Sequence, residues 1–218
     1  MIALHAVARG DDAEVAAAAA DLGLEAYVDH GVAVLHRVVE AAPSPETAAV
    51  LELGSLVRAL ADAGPILPLR FGSVVDDVEA LAALAAERAD DWVALLRDLD
   101  GSSELIVHLP PGRPMPVVAA PPDGPGDHSA AGAAQESGRA YLIARAAEVH
   151  AEEERLAQLR ALHAVRAARP LPRDRVSVLV SDPAAARCQV EGWAREQHLD
   201  GVQVTGPWPP FSFCEVHR

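Results

Sequence analysis

A chain of 218 residues, half of them apolar but only 4% aromatic, can bury a sizeable core, and that core must be built mainly from Ala, Val and Leu. Its 32 acidic residues outweigh 18 basic ones, all arginine, for a formal charge of -14, which repels phosphate backbones and anionic headgroups and argues against nucleic acid or a membrane surface as partner. Two cysteines, Cys188 and Cys214, are too few for a disulfide framework, no apolar run reaches membrane-span length and no signal-peptide pattern is present, so a soluble cytoplasmic protein is expected.

The first 72 residues alternate element types. "IALHAVAR" is a short apolar strand, and Asp11 and Asp12 offer an N-cap to the helix "AEVAAAAADL", which Gly23 closes. "LEAYV" and "VAVLHRVV" read as strands joined by the turn "DHG". Ser44 followed by Pro45 predicts the start of a helix to about Asp62, stopped by Gly64 and Pro65, and "ILPLRF" is the next strand. The order is β-α-β-β-α-β, the split arrangement of ferredoxin-like folds. From Ser73, a possible cap, helical spacing persists to Gly101 in one long helix or two, and its end is the expected domain boundary: residues 1–100, then 101–218.

The second half opens on the strand "SELIVHLP". A Pro/Gly-rich stretch with many small residues follows and predicts a mobile, length-tolerant loop. From about Gln135 a helical pattern runs to Ala168, where Pro170 and Pro172 end it; Leu142, Val149, Leu156, Leu159 and Leu162 form its apolar stripe. "RVSVLVS" is a strand, Asp182 and Pro183 open a helix, and "DGVQVTG" is the last strand. The result is β-α-β-α-β, a modified ferredoxin-like unit that lacks one strand or hides it at "PMPVVAA". The fold class expected is therefore α+β in two domains, with a long helix and a Pro/Gly-rich loop.

Chemistry-bearing motifs are scarce. Cys214 and His217 are the one close Cys/His pair, too little for zinc, and Cys188 reads as a small buried hydrophobe. No nucleophile elbow or phosphate-cradling loop occurs, and a chain without lysine cannot form a Schiff base. No catalytic, cofactor or metal residue is assigned. Three stretches stand out. "PILPLRFGSVV" puts Pro68 in a strand, which places that strand at an edge or on a bulge, with Arg70 in an apolar setting either at the surface over Phe71 or desolvated, where it would need a carboxylate or several carbonyls as partners. "GRAYLIARAAE" spaces Arg139 and Arg145 around Tyr141, and "GPWPPFSF" crowds Trp208, Pro209 and Phe211 together near the last residue. Pro68, Arg70, Phe71, Arg139, Tyr141, Trp208, Pro209 and Phe211 are the candidates for a partner contact or a lock on the fold. The proline run limits the entropy its aromatics lose on docking.

These three stretches, in this order and spacing, resemble the gas vesicle GvpF/GvpL family over nearly the whole chain, departing at Phe211, where Tyr is common, and at Ser73, where Thr is common. The resemblance implies two α+β domains, the second ferredoxin-like, and a non-enzymatic accessory or minor shell-associated role in building gas vesicles, the shells that give microbes buoyancy. It also implies contact with the main shell protein GvpA and other accessory Gvp proteins, without a cofactor. The alternative is a ferredoxin-like module that binds a small molecule or regulates.

Overall fold

Two antiparallel sheets, each covered on both faces, organise the protein, whose computed structural model describes residues 1–110 and 130–214. The first sheet comprises β1 (Ile2–Arg9), β2 (Glu25–Asp29), β3 (Val32–Val38), β4 (Ile66–Pro68) and β5 (Val74–Val75). Its order is β2-β3-β1-β4, with β5 pairing the start of β1. Helices α1 (Ala13–Asp21) and α2 (Thr47–Ala63) cover one face and α3 (Val78–Leu99) the other.

β1 shows how the chain serves both faces. Ile2, Leu4 and Val7 join the α3 side while Ala6 and Ala8 join the α1/α2 side, and a bulge between Leu4 and Ala6 supplies the change of phase. β3 alternates without interruption: Val32 and Val34 face α3, Ala33 and Leu35 face α1 and α2. The expected "DHG" turn is a two-residue hairpin loop, with His30 and Gly31 both at positive φ. Along α3 the buried residues Leu81, Ala85, Ala89, Trp92, Leu96 and Leu99 make one stripe at helical spacing.

The second sheet contains β6 (Ser103–His108), β7 (Val165–Leu171), β8 (Arg175–Val180) and β9 (Gln203–Trp208) in the order β7-β8-β6-β9. Helices α4 (Ala130–Arg160) and α5 (Pro183–Glu196) pack on one face through Leu159, Val190 and Trp193. On the other face Leu179 and Ala167 join the cluster around α3, so α3 lies between the sheets.

The structure corrects several expected boundaries. The long helix ends at Arg160 rather than Ala168, and Val165–Leu171 is a strand, so the strand missing from the second half is here. Chain reversal at Ala161–Ala164 uses neither Gly nor Pro; Gln189 Oε1 accepts the Ala164 amide at 3.0 Å. Pro170 is tolerated because β7 is an edge strand. "PMPVVAA" lies outside the described residues, as does most of the Pro/Gly-rich stretch. Helix α2 starts at Thr47, not next to Ser44, after a lead-in outside regular structure in which the Glu46 amide donates to the Ser44 carbonyl at 2.8 Å. Asp77, not Ser73, caps α3, accepting from the Ala80 amide at 2.9 Å, while Ser73 gives its carbonyl to the Leu4 amide ahead of β5. The strand "ILPLRF" stops at Pro68, which pairs with Ala6 at the sheet edge. Leu142 and Val149 are exposed, so only the C-terminal part of the expected stripe on α4 is buried.

Candidate functional site

The terminal motif begins inside β9. Gly206 has φ 115°, a conformation that disfavours side chains, and a Cβ there would lie 2.7 Å from the Glu104 carbonyl oxygen. The next peptide bond, Gly206–Pro207, is cis. Pro209 and Pro210 are buried, and Phe211–Phe213 form a 3-10 turn. Four elements hold this segment. From β6, Glu104 accepts hydrogen bonds from the Ser212 amide at 2.8 Å and from Ser212 Oγ at 2.7 Å. From β7, Arg169 donates to the Ser212 carbonyl at 2.7 Å and lays its guanidinium 5.1 Å from the centre of the Phe213 ring. Arg187 of α5 donates to the carbonyls of Val204 and Gly206, and Arg58 of α2 sits over Trp208 at 5.5 Å.

Cys214 Sγ donates to the Pro210 carbonyl, and burial, seconded by the charge of Glu104, pushes its thiol up to about 12. Such a thiol stays protonated and is a poor nucleophile. Cys188, expected to be buried, is exposed. Among the described residues no group of three or more His, Cys, Asp or Glu is placed to hold a metal ion, and no helix is long and apolar enough to cross a membrane.

A groove of about 1320 Å³ lies between the sheets. It unites Pro68 and Arg70 with Phe211, bringing the first and third of the unusual stretches together. Leu84, Trp92 and Leu69 give it an apolar floor, and Arg88, Arg160 and Arg169 join Arg70 around it. Of the two readings of Arg70, the exposed one holds and the desolvated one does not; it sits in the turn that Ser73 closes by donating its amide to the Arg70 carbonyl. Phe71 points elsewhere, lining a small pocket of about 150 Å³ with His5, Arg37 and Glu52. Trp208 and Pro209 line a third cleft, of about 420 Å³, with Arg58, Asp62 and Asp100. Arg139 and Tyr141 fall on α4, and their side chains lie outside the described residues.

Sequence reading missed Arg88, Arg160 and Arg169, which sit on three elements far apart in the chain. It also passed over Glu104, although an acid inside the apolar strand "SELIVHLP" is a readable signal of a buried, satisfied carboxylate.

The family model described as "Gas vesicle synthesis protein GvpL/GvpF" matches residues 6–215. The chain belongs to the GvpL/GvpF family. Membership ties it to gas vesicles and to other Gvp proteins as partners, in a family described by vesicle synthesis rather than by a catalysed reaction. Two solved structures share its fold. GvpF from Anabaena sp. PCC7120 superposes with a TM-score of 0.64 at 14% identity, over 100% of this chain and 97% of that one. GvpF from Microcystis aeruginosa gives 0.63 at 14% identity, over 99% of each chain. No curated protein sequence matches. In this GvpL/GvpF protein both the terminal motif and the "PILPLRFGSVV" stretch thus have a place in the fold, one clasped onto the second sheet and the other at the edge of the first.

Proposed function

We propose that this GvpL/GvpF protein is a non-enzymatic, cytoplasmic accessory factor of gas vesicle assembly, chaperone-like or a minor shell-associated component, that contacts the main shell protein GvpA. A subunit that must keep one face dry is an aggregation hazard before assembly, because exposed apolar strands seek free edges. The observation that carries the reading is the groove between the sheets, where Pro68, Leu69, Leu84, Trp92 and Phe211 offer apolar surface within an acidic, soluble body.

The same reading divides the chain near residue 100. The strand orders β2-β3-β1-β4 and β7-β8-β6-β9 are the same permutation, each made by a β-α-β-β-α-β run, which supports two split β-α-β units, the second ferredoxin-like. The groove would then lie where two domains meet.

The test is co-purification of GvpA with the tagged protein, together with vesicle yield in cells lacking the gene and complemented with it. Retention of GvpA by wild type, its loss in Leu84→Glu and restored vesicles on complementation are expected. Normal vesicle yield without the gene, or equal retention by a folded Leu84→Glu variant, overturns the reading. The rival, a small-molecule module, draws on the cleft of about 420 Å³ beside Trp208, a size suited to a compact ligand. A metabolite-dependent rise in melting temperature that Trp208→Ala abolishes would favour it.

A further inference from the structure

We propose that the outer edge of β2 is a docking edge that takes an extended, basic strand of a partner protein, paired antiparallel to Glu25–Asp29. The inference is independent of the groove between the sheets, which none of these five residues lines. Its first support is a contrast among the sheet edges. The β4/β5 edge is made of strands three and two residues long, and Pro68 brings no donor. Edge strand β7 carries a bulge between Val165 and Ala167, the donor-less Pro170 and an Ala168 carbonyl that Arg160 already occupies. On β9, Arg187 occupies the carbonyls of Val204 and Gly206, and Pro207 has no N–H. β2 has none of these devices: it contains neither Pro nor Gly, and its pairing with β3 is unbroken over all five residues.

The hairpin sets which groups face outward. His30 and Gly31, at φ 49° and 80°, form a two-residue turn of the kind in which the amide after the loop, that of Val32, bonds the carbonyl before it, that of Asp29. Pairs alternate from there, so Tyr27 and Glu25 bond toward β3 while the amides and carbonyls of Ala26 and Val28 point away from it. Among the described residues no other element hydrogen-bonds to them. Ala26 and Val28 are also exposed, Val28 to 58%. Such a row of unpaired donors and acceptors is a template for one more strand.

Side chains select the occupant. Glu25, Tyr27 and Asp29 share one face of β2, with a carboxylate at each end. If two copies of β2 paired over all five residues, Glu25 of each would lie opposite Asp29 of the other, and like charges directly opposite destabilise a sheet. A second copy is therefore a poor occupant. A strand with Arg or Lys four positions apart reverses both terms, β-branched residues between them cover Ala26 and Val28, and the net charge of -14 draws a cationic partner in. Each acid has a histidine beside it, His36 Nε2 at 3.8 Å from Glu25 and His30 Nδ1 at 3.0 Å from Asp29, and Asp29 also accepts from the Tyr27 hydroxyl at 3.3 Å. A histidine is a countercharge only when protonated, so the test is run in mild base.

The test uses the purified full chain and fluorescein-labelled peptides, read by fluorescence anisotropy at about pH 8, above the ordinary histidine range. The parent is Thr-Arg-Val-Thr-Val-Arg-Thr, whose arginines fall opposite Asp29 and Glu25 and whose valines fall opposite Val28 and Ala26. Glu in place of both arginines should weaken binding about tenfold. Backbone N-methylation separates strand pairing from charge. Methyls on the two valine amides remove the donors to Ala26 and Val28 and should cost at least about tenfold, whereas methyls on the two arginine amides, which point away, should cost less than about threefold. Val28→Pro removes an outward amide, keeps the ladder to β3 and should abolish the difference between the two methylated peptides. Glu25→Arg, at an exposed side chain, is the check if Val28→Pro weakens the fold; it should narrow the preference for Arg over Glu about threefold. Equal binding of the two methylated peptides to wild type, or an unchanged preference in folded Glu25→Arg, overturns the proposal. So does loss of the parent peptide in folded Leu84→Glu with retention in Val28→Pro, which would place it in the groove. Dimerisation of wild type that Val28→Pro abolishes would make the occupant a second copy and overturns it as well. A protein that discriminates the peptides at β2 but is dispensable for vesicles overturns only the assembly reading.

Discussion

Glu104 and Ser212, 108 positions apart, join the first strand of the second sheet to the end of the chain by two hydrogen bonds to one buried carboxylate. The amide and the hydroxyl of one serine satisfy both oxygens of an acid that is only 2% exposed. Removing the acid leaves a half-buried amide and hydroxyl without their acceptor and opens a cavity, whereas removing the hydroxyl loses one bond. Glu104→Ala is therefore expected to cost about 3 kcal/mol and Ser212→Ala about 1.5 kcal/mol. Urea midpoints measure both; equal values for the two variants, or a wild-type midpoint in Glu104→Ala, would show that the tie is not structural.

Gly206 gives a sharper contrast. Its φ of 115° and the carbonyl 2.7 Å from a built Cβ make Gly206→Ala strained twice, once in the backbone and once by contact. Gly72 also has a positive φ, 81°, but nothing within 4 Å of a Cβ, so Gly72→Ala carries the backbone cost alone. We expect at least about 2 kcal/mol for the first and about 1 kcal/mol for the second. Thermal or urea unfolding of the pair reads the difference directly, and a Gly206→Ala variant no worse than Gly72→Ala would mean that β6 yields at no cost.

How far the sequence disclosed this architecture depends on punctuation. In the first half Asp12, Gly23, Gly31, Gly64 and Pro65 mark most boundaries, so β1 to β4 and their two helices could be placed, whereas β5, two residues long and without such marks, was absorbed into the helix expected from Ser73. In the second half the turn at Ala161–Ala164 carries no such mark, and a bulge between Val165 and Ala167 breaks the alternation that would have betrayed β7. The long helix therefore absorbed a strand. Pro68 was legible as an edge residue because proline cannot donate to a ladder, and the structure puts it on one. The arginines of the groove were not, because their meeting is a product of the two sheets closing on α3 and leaves no local spacing to read.

The three aromatics of the terminal motif divide by exposure. Phe213 is 5% exposed within the cluster around α3, while Trp208 is 38% and Phe211 42% exposed. Phe213→Ala should therefore cost about 3–5 kcal/mol, as a large buried ring does. Trp208→Ala should cost about 1 kcal/mol through its contact with Arg58, and Phe211→Ala no more than about 0.5 kcal/mol. Deleting residues 206–218 should lower the melting temperature before it weakens partner binding. A truncated protein that melts like the intact one but fails to bind would reverse the order and make the motif a contact rather than a lock.

His5 introduces a pH dependence with a definite sign. It lies on β1 between the faces of the bulge, and its Nε2 is buried without a hydrogen-bond partner among the described residues. Burial lowers its pKa from the ordinary 6.5, Arg37 and His36 lower it further, and Glu52 opposes them. Above pH 6.5 His5 is neutral in both states and its contribution is fully present. As the pH falls below that value the unfolded chain takes up the proton first, so the unfolded state binds more protons and stability declines until the folded His5 titrates in turn. The slope from this one group is at most about 1.4 kcal/mol per pH unit. Urea midpoints taken at about pH 7.5 and about pH 5 should therefore fall in the wild type. His5→Leu, which removes the titrating ring, should lose less between the same two conditions. A His5→Leu protein that loses as much stability as wild type between those conditions would assign the acid sensitivity to other groups.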